Sequence, residues 1–181
     1  MYIVKYASKQ LVKLLRLPLK KLLRIALAFP HEFLRGFFDA EGHVDVGVSK
    51  GLVLRVGAEN SNLSLLLEVM YSLKKLGISS RTERKREKGT IKVIRGKAFV
   101  MRRPSYSVVV GNVKDIRRFA KKIGFSIQRK NQKLNDALAI IATYDSLRWP
   151  VMWIRLYSKS GGEWVRRRSG SGSLSKSIKH D

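Results

Sequence analysis

The chain has 181 residues, with 38 lysines and arginines against 13 acids and a formal net charge of +25. A hydrophobic fraction of 44% is enough for a buried core and excludes a disordered chain. The length suits one domain with appendages, and the charge points to a polyanionic partner. The absence of cysteine excludes disulfides, thiolate metal sites and cysteine nucleophiles, and three histidines argue against a histidine-built zinc site.

Residues 1–29 contain no acid and read as a basic arm or helix, with leucines at 11, 14, 15, 17 and 19 interspersed with lysines. The stretch superficially resembles an organellar transit peptide, but a basic surface helix suits the pattern better. The apolar run from Ile25 to Phe29 is far shorter than the about 20 residues a bilayer requires, so no membrane partner is expected. An intracellular location follows, in cytoplasm or nucleoid, with an organelle as the alternative.

Pro30 at a first turn and Gly42 just past an end bracket a short helix. Val44, Val46 and Val48, then Leu52, Leu54 and Val56, alternate with polar residues around Ser49-Lys50-Gly51, which predicts a β-hairpin. Leu63, Leu66, Leu67, Met70 and Leu73 follow the helical period, with Asn60 or Asn62 as cap and Gly77 as stop. Residues 78–86 and Ser105–Val110 read as two more strands, with residues 89–103 as a hairpin extension turning at Arg95-Gly96. A helix from Asn112 to Gly124 and another through Leu134, Leu138 and Ile141 complete the order α-ββ-α-ββ-α-α. The fold class is α+β with a four-stranded antiparallel sheet. Beyond Pro150, Val151–Tyr157 and Glu163–Arg168 read as a terminal hairpin, and residues 169–181 as a flexible tail.

Asp39 and Glu41 carry the sharpest chemical signal. They sit in the last turn of the helix after Pro30, where the helix dipole disfavours carboxylates, so another group has to stabilise them. In so basic a chain, an acid pair there suggests a hard-cation site. At i, i+2 the two side chains diverge, so one chain supplies an incomplete metal site unless the helix frays. Gly36 and Ala40, four apart and flanked by Phe33 and Phe37, form a small-residue face that permits close helix approach, and a symmetry mate could bring the missing ligand.

At these residues the sequence resembles the LAGLIDADG homing endonucleases. Leu34-Arg35-Gly36-Phe37-Phe38-Asp39-Ala40-Glu41-Gly42 matches the nine-residue signature at its first, third, sixth, seventh and last positions, with glutamate as an accepted acid at the eighth. Arg35 departs, since a small residue is usual there. The resemblance covers roughly residues 30–145, leaving residues 146–168 as an aromatic and basic extension. It implies that Glu41 binds the catalytic divalent metal, Mg²⁺ or another such as Mn²⁺, that the Ala40 carbonyl assists, and that Asp39 is a structural or outer-shell partner. It also implies that Lys130 is the active-site lysine and that Asn60, otherwise a plain helix cap, positions the attacking water. One motif per chain implies a homodimer, packed through Phe33, Gly36, Phe37 and Ala40.

Double-stranded DNA would lie on the polar face of the sheet, against His43, Asp45, Ser49, Lys50 and Arg55 and along Ser105 and Ser107. The basic cluster that includes Arg81, Arg84, Lys85, Arg86, Lys92, Lys97, Arg102 and Arg103 would grip phosphates. Trp149, Trp153 and Trp164 read as packing residues. The function this implies is an intron- or intein-encoded site-specific endonuclease that cuts a long near-palindromic target. The alternatives are a ribosomal-type RNA-binding protein and a splicing maturase acting on intron RNA.

Overall fold

A computed structural model describes Lys13 and residues 16–49, 51–94 and 96–167. The expected flexible tail, most of the first eighteen residues, Lys50 and Arg95 lie outside the described residues. Helix α1 (Leu19–Ala28) precedes α2 (Pro30–Glu41), which runs directly into the hairpin β1 (Gly42–Val48) and β2 (Leu52–Asn60). Then come α3 (Leu63–Lys75), β3 (Arg81–Arg86), β4 (Ile91–Ile94), β5 (Lys97–Val100) and β6 (Ser105–Val110). Helices α4 (Val113–Lys122), α5 (Gln128–Thr143) and α6 (Trp149–Leu156) and the hairpin β7 (Tyr157–Ser160) and β8 (Glu163–Arg166) complete the described chain.

The main sheet has the order β1-β2-β6-β3 and is antiparallel throughout. Period-2 alternation sends Val44, Val46, Leu52, Leu54, Val56 and Ala58 to one face, where the helices cover them. Helix α2 drives Leu34 and Phe38, both fully buried, into this layer. Phe38 meets Phe119 of α4 edge-on at 4.8 Å between ring centroids, so its replacement by alanine is expected to cost about 3–5 kcal/mol. Gly42 ends α2 because the chain turns tightly there. A Cβ at Gly42 would overlap the Phe38 carbonyl oxygen and stand 2.9 Å from the Phe38 Cα.

Caps fix the helices that follow. Asn62 accepts the Leu65 N–H at 3.2 Å and Asn112 accepts the Lys114 N–H at 2.8 Å, while Gly77 and Gly124 close α3 and α4 in the left-handed region. The extension between β3 and β6 is the expected hairpin, formed by β4 and β5.

The C-terminal extension differs from expectation, because Val151–Leu156 is helical. Pro150 sits in the first turn of α6, and Trp149, Trp153 and Leu156 recur at helical spacing, which outweighs the β-branched residues. Only the part after Leu156 forms the hairpin. Trp153 is fully buried, stacks on Tyr157 at 4.0 Å and meets Trp164 edge-on at 6.1 Å. The Trp164 indole N–H donates to the Val46 carbonyl at 2.7 Å, so the hairpin covers the outer edge of β1, which would otherwise be open to pairing. Among the described residues no helix is long and apolar enough to cross a membrane.

Candidate metal centre and nucleic-acid face

The last turn of α2 and the first turn of α5 cap each other. The Asp39 carboxylate accepts the Ser126 N–H at 3.0 Å and the Ile127 N–H at 3.3 Å, and its second oxygen accepts Ser126 at 3.2 Å. Helix α5 has no side-chain cap of its own, so Asp39 supplies it from across the fold. In return the Lys130 ammonium donates to the Asp39 carbonyl at 2.6 Å and the Phe38 carbonyl at 3.2 Å, satisfying the open C-terminal end of α2. Burial, followed by the neighbouring Arg129, lowers the Lys130 pKa, and Asp39 and Glu41 oppose that shift. The Arg35 guanidinium donates to the Ile123 carbonyl at 2.7 Å, so this departure from the signature ties α2 to the end of α4.

Asp39 and Glu41 therefore have separate tasks. Asp39, named among the possible metal ligands, has both oxygens engaged with backbone N–H groups, as a structural or outer-shell partner would. Glu41 is exposed, and no hydrogen-bond or ion-pair partner is found for it among the described residues. Its oxygens and the carbonyl of the preceding Ala40 are hard donors of the kind Mg²⁺ or Mn²⁺ takes. No group of three acids or histidines that could hold a metal ion by itself occurs among the described residues. Magnesium sites that complete their shell with substrate phosphates and water fit such a partial set.

Asn60 does not reach the polar face. Register places it opposite Tyr106 and in phase with Ala58 and Val56, on the side of the helices, and its side chain accepts the Asn62 N–H at 2.8 Å. Of the two cap candidates, Asn62 is the cap of α3, and the Asn60 side chain forms the turn before it. Glu59 is the residue at this strand end that projects onto the polar face, in phase with Gly57 and Arg55. The alternation from Arg55 was sufficient to find it.

The polar face carries His43 and Asp45 on β1, Arg55 and Glu59 on β2, Ser105 and Ser107 on β6, and Arg81, Glu83, Lys85 and Arg86 on β3. Asp45 lies directly opposite Arg55. The His43 ring lies over Gly57, where a Cβ would stand 2.9 Å from Nε2. Partial desolvation lowers the His43 pKa, against the opposing pull of Glu59 and Asp45. A register shift between Arg84 and Arg86 brings both Lys85 and Arg86 to this face. Glu83 bridges Arg81 at 2.8 Å and Lys85 at 3.0 Å, and Arg86 binds Glu59 at 2.9 Å.

Two expectations need adjustment, the open serines of this face and Phe37 at a helix-packing surface, and one member of the basic cluster, Arg84, lies on the other side of the sheet. Arg84 pairs with Tyr106 and lies over its ring on the opposite side of the sheet, because period 2 sends it there, and it binds Glu87 at 2.8 Å. Ser105 and Ser107 are on this face but buried, and their hydroxyls find no partner among the described residues. Phe37 is buried within the chain against Phe38, which removes it from a surface for a second copy, whereas Phe33 is half-buried. Gly36 and Ala40 are exposed, and nothing lies within 4 Å of a Cβ built on Gly36. Ser49, Lys97, Arg102 and Arg103 are exposed at the sheet end and on the extension, and Lys92 is on β4.

The fold and site define an αββαββα domain whose first core helix delivers a free carboxylate to the margin of a charged antiparallel sheet. The family model for the LAGLIDADG-like domain matches residues 28–124, more than half of the chain, and the chain belongs to that family. It is 35% identical over 135 residues to an uncharacterized protein of Methanocaldococcus jannaschii, a match covering 75% of this chain and 47% of that protein. The chain thus spans about half the length of that relative. Among solved structures it is similar to the archaeal intron-encoded homing endonuclease I-Vdi141I complexed with DNA, at 16% identity and a TM-score of 0.42, covering 64% of this chain and 70% of that one. It is also similar to the homing endonuclease I-CvuI in complex with the I-CreI target, at 15% identity and a TM-score of 0.40, covering 67% and 68%. The family assignment rests on the domain match, not on these two likenesses.

Proposed function

We propose that the protein is a site-specific, divalent-metal-dependent DNA endonuclease, an intron- or intein-encoded homing enzyme that works as a homodimer. The observation that carries this reading is Glu41, an exposed carboxylate without a partner among the described residues, held beside Lys130 at the edge of a face rich in arginine and lysine. A protein that only binds RNA has no use for a free acid where the helix dipole disfavours it. The metal, held by Glu41 and the Ala40 carbonyl, would supply Lewis-acid stabilisation of a phosphodiester under attack. Lys130 adds a fixed positive charge beside the developing negative charge, and Asp39 keeps α5, and hence Lys130, in place. Asp45, Arg55, Glu59 and the β3 residues present both donors and acceptors to base edges in a major groove.

The dimer follows from the exposed Gly36 and Ala40. Packing among the described residues gives no reason for glycine at position 36, and a second α2 helix crossing there would supply one. It would also bring two Glu41 residues to opposite strands of one duplex. Sedimentation equilibrium of the full chain, with cleavage of a duplex carrying the gene's own insertion junction in Mg²⁺, tests both parts. The expected result is a dimer and a magnesium-dependent double-strand cut. Gly36→Leu is expected to give monomers, and a monomeric wild type that cleaves both strands would contradict the reading.

A further inference from the structure

A cleft of about 630 Å³ opens between β1, the first turns of α5 and the β7–β8 hairpin. It begins at Gly42 and His43, next to Glu41, and its outer wall is chain beyond the family-matched residues 28–124. Arg129, Lys130, Lys133 and Arg166 line it, against the acids Asp45 and Glu163. Two of these cations are already engaged. Lys130 donates to the carbonyls at the end of α2, and Arg166 binds Asp136 at 2.9 Å, on the carboxylate oxygen that also accepts the Tyr157 hydroxyl at 2.8 Å.

Lys133 is different. It is half-buried in the cleft wall, and no carboxylate lies within hydrogen-bond reach of its ammonium among the described residues. Burial lowers its pKa, with Asp45 and Glu163 pulling the other way and Arg129 adding to the shift. A cation taken partly out of water without a counter-ion costs free energy, which an arriving anion offsets. Arg129, exposed and one turn back on the same helix, can add a fork of N–H donors to that anion. The cleft is continuous with the polar face at His43 and Asp45, so an anion that belongs to a chain lying on that face can enter it.

We propose that this cleft is a backbone-phosphate pocket, in which Lys133 and Arg129 hold one phosphodiester of a DNA strand that leaves the polar face beside Glu41, with the β7–β8 hairpin as its outer wall. The proposal rests on the DNA-binding reading above and gives the C-terminal extension a function, as an arm that positions the strand next to the site of cutting. Backbone phosphates are the same in every sequence, so the pocket contributes affinity and strand position and no base preference.

The test is binding of the full chain to a fluorescent duplex of random sequence and to the insertion-junction duplex, without divalent metal, across a range of salt. Lys133→Gln is expected to lower the slope of log affinity against log salt by about 0.9, the release associated with one phosphate contact, and to weaken both duplexes by the same factor. Lys133→Arg is expected to keep the wild-type slope, which separates lost charge from misfolding. Glu163→Gln, on the opposite wall, is expected to bind as tightly as wild type or tighter. An unchanged slope for Lys133→Gln beside a steep wild-type slope overturns the pocket and leaves the sheet-face reading standing. A wild type with no salt-dependent duplex binding overturns both. If inorganic phosphate at constant ionic strength protects wild type but not Lys133→Gln from thermal unfolding, while the duplex slopes agree, the occupant is free phosphate and the proposal fails.

Discussion

The α2–α5 junction and the polar face of the sheet both concentrate charge, but they commit it differently. At the junction Asp39, Lys130 and Arg35 are each tied to backbone N–H or carbonyl groups from a distant part of the chain. On the polar face Arg81, Glu83, Lys85, Arg86 and Glu59 are tied to one another, with side chains between 31% and 54% exposed. A charge that satisfies a helix end cannot leave without orphaning backbone groups, whereas an exposed ion pair exchanges one partner for another at little cost. The junction is scaffold, and the face is a surface whose charges remain available to an incoming polyanion. Glu41, two residues from Asp39, belongs with the second kind.

This contrast breaks most readily at Asp39. Asp39→Ala removes charged acceptors from the Ser126 and Ile127 N–H groups and is expected to destabilise the fold by about 2–3 kcal/mol, read as a lower midpoint in urea with unchanged slope. If the midpoint stays put, α5 does not depend on this cap. On the polar face, Ser107→Ala removes a buried hydroxyl that has no partner and is expected to be neutral or stabilising by up to about 1 kcal/mol in the same assay. A loss of more than that would mean that the hydroxyl has a partner in solution. The smallest effect should come from the pair Glu59–Arg86, at 2.9 Å and about one-third exposed at each end. A double-mutant cycle with Glu59→Gln and Arg86→Gln is expected to give a coupling below about 1 kcal/mol that shrinks in salt.

Much of the scaffold was legible in the sequence because its signals are local. Alternation from Val44 to Val56, the helical repeat from Leu63 to Leu73 and the stops at Gly77 and Gly124 each act within a few residues. The acids at positions 39 and 41 stood out for the same reason, since their place on the helix dipole depends on one helix alone. What sequence could not give is which distant group answers them. Ser126 lies 87 residues from Asp39, and no local pattern links the two. The polar face was misread where a rule of two was broken or carried too far. The irregularity at Lys85 returns Arg86 to the face, and the alternation that carries Glu59 there carries Asn60 to the helix side. Serines at 105 and 107 had the right phase, but whether a short side chain is covered depends on its neighbours across the sheet. Val151–Leu156 reads locally as a strand, yet the proline in its first turn and the helical spacing of Trp149, Trp153 and Leu156 make it a helix.

Glu41→Gln tests the central claim most directly, because it removes a charge without changing size and touches none of the contacts that hold the fold. Single-turnover cleavage of the insertion-junction duplex in Mg²⁺, with duplex affinity and the urea midpoint measured on the same protein, separates chemistry from docking and folding. The account predicts that cleavage disappears, that affinity is unchanged or tighter as repulsion between carboxylate and phosphate is relieved, and that stability moves by less than about 0.5 kcal/mol. Cleavage by Glu41→Gln at the wild-type rate would contradict the metal-site assignment and with it the nuclease reading.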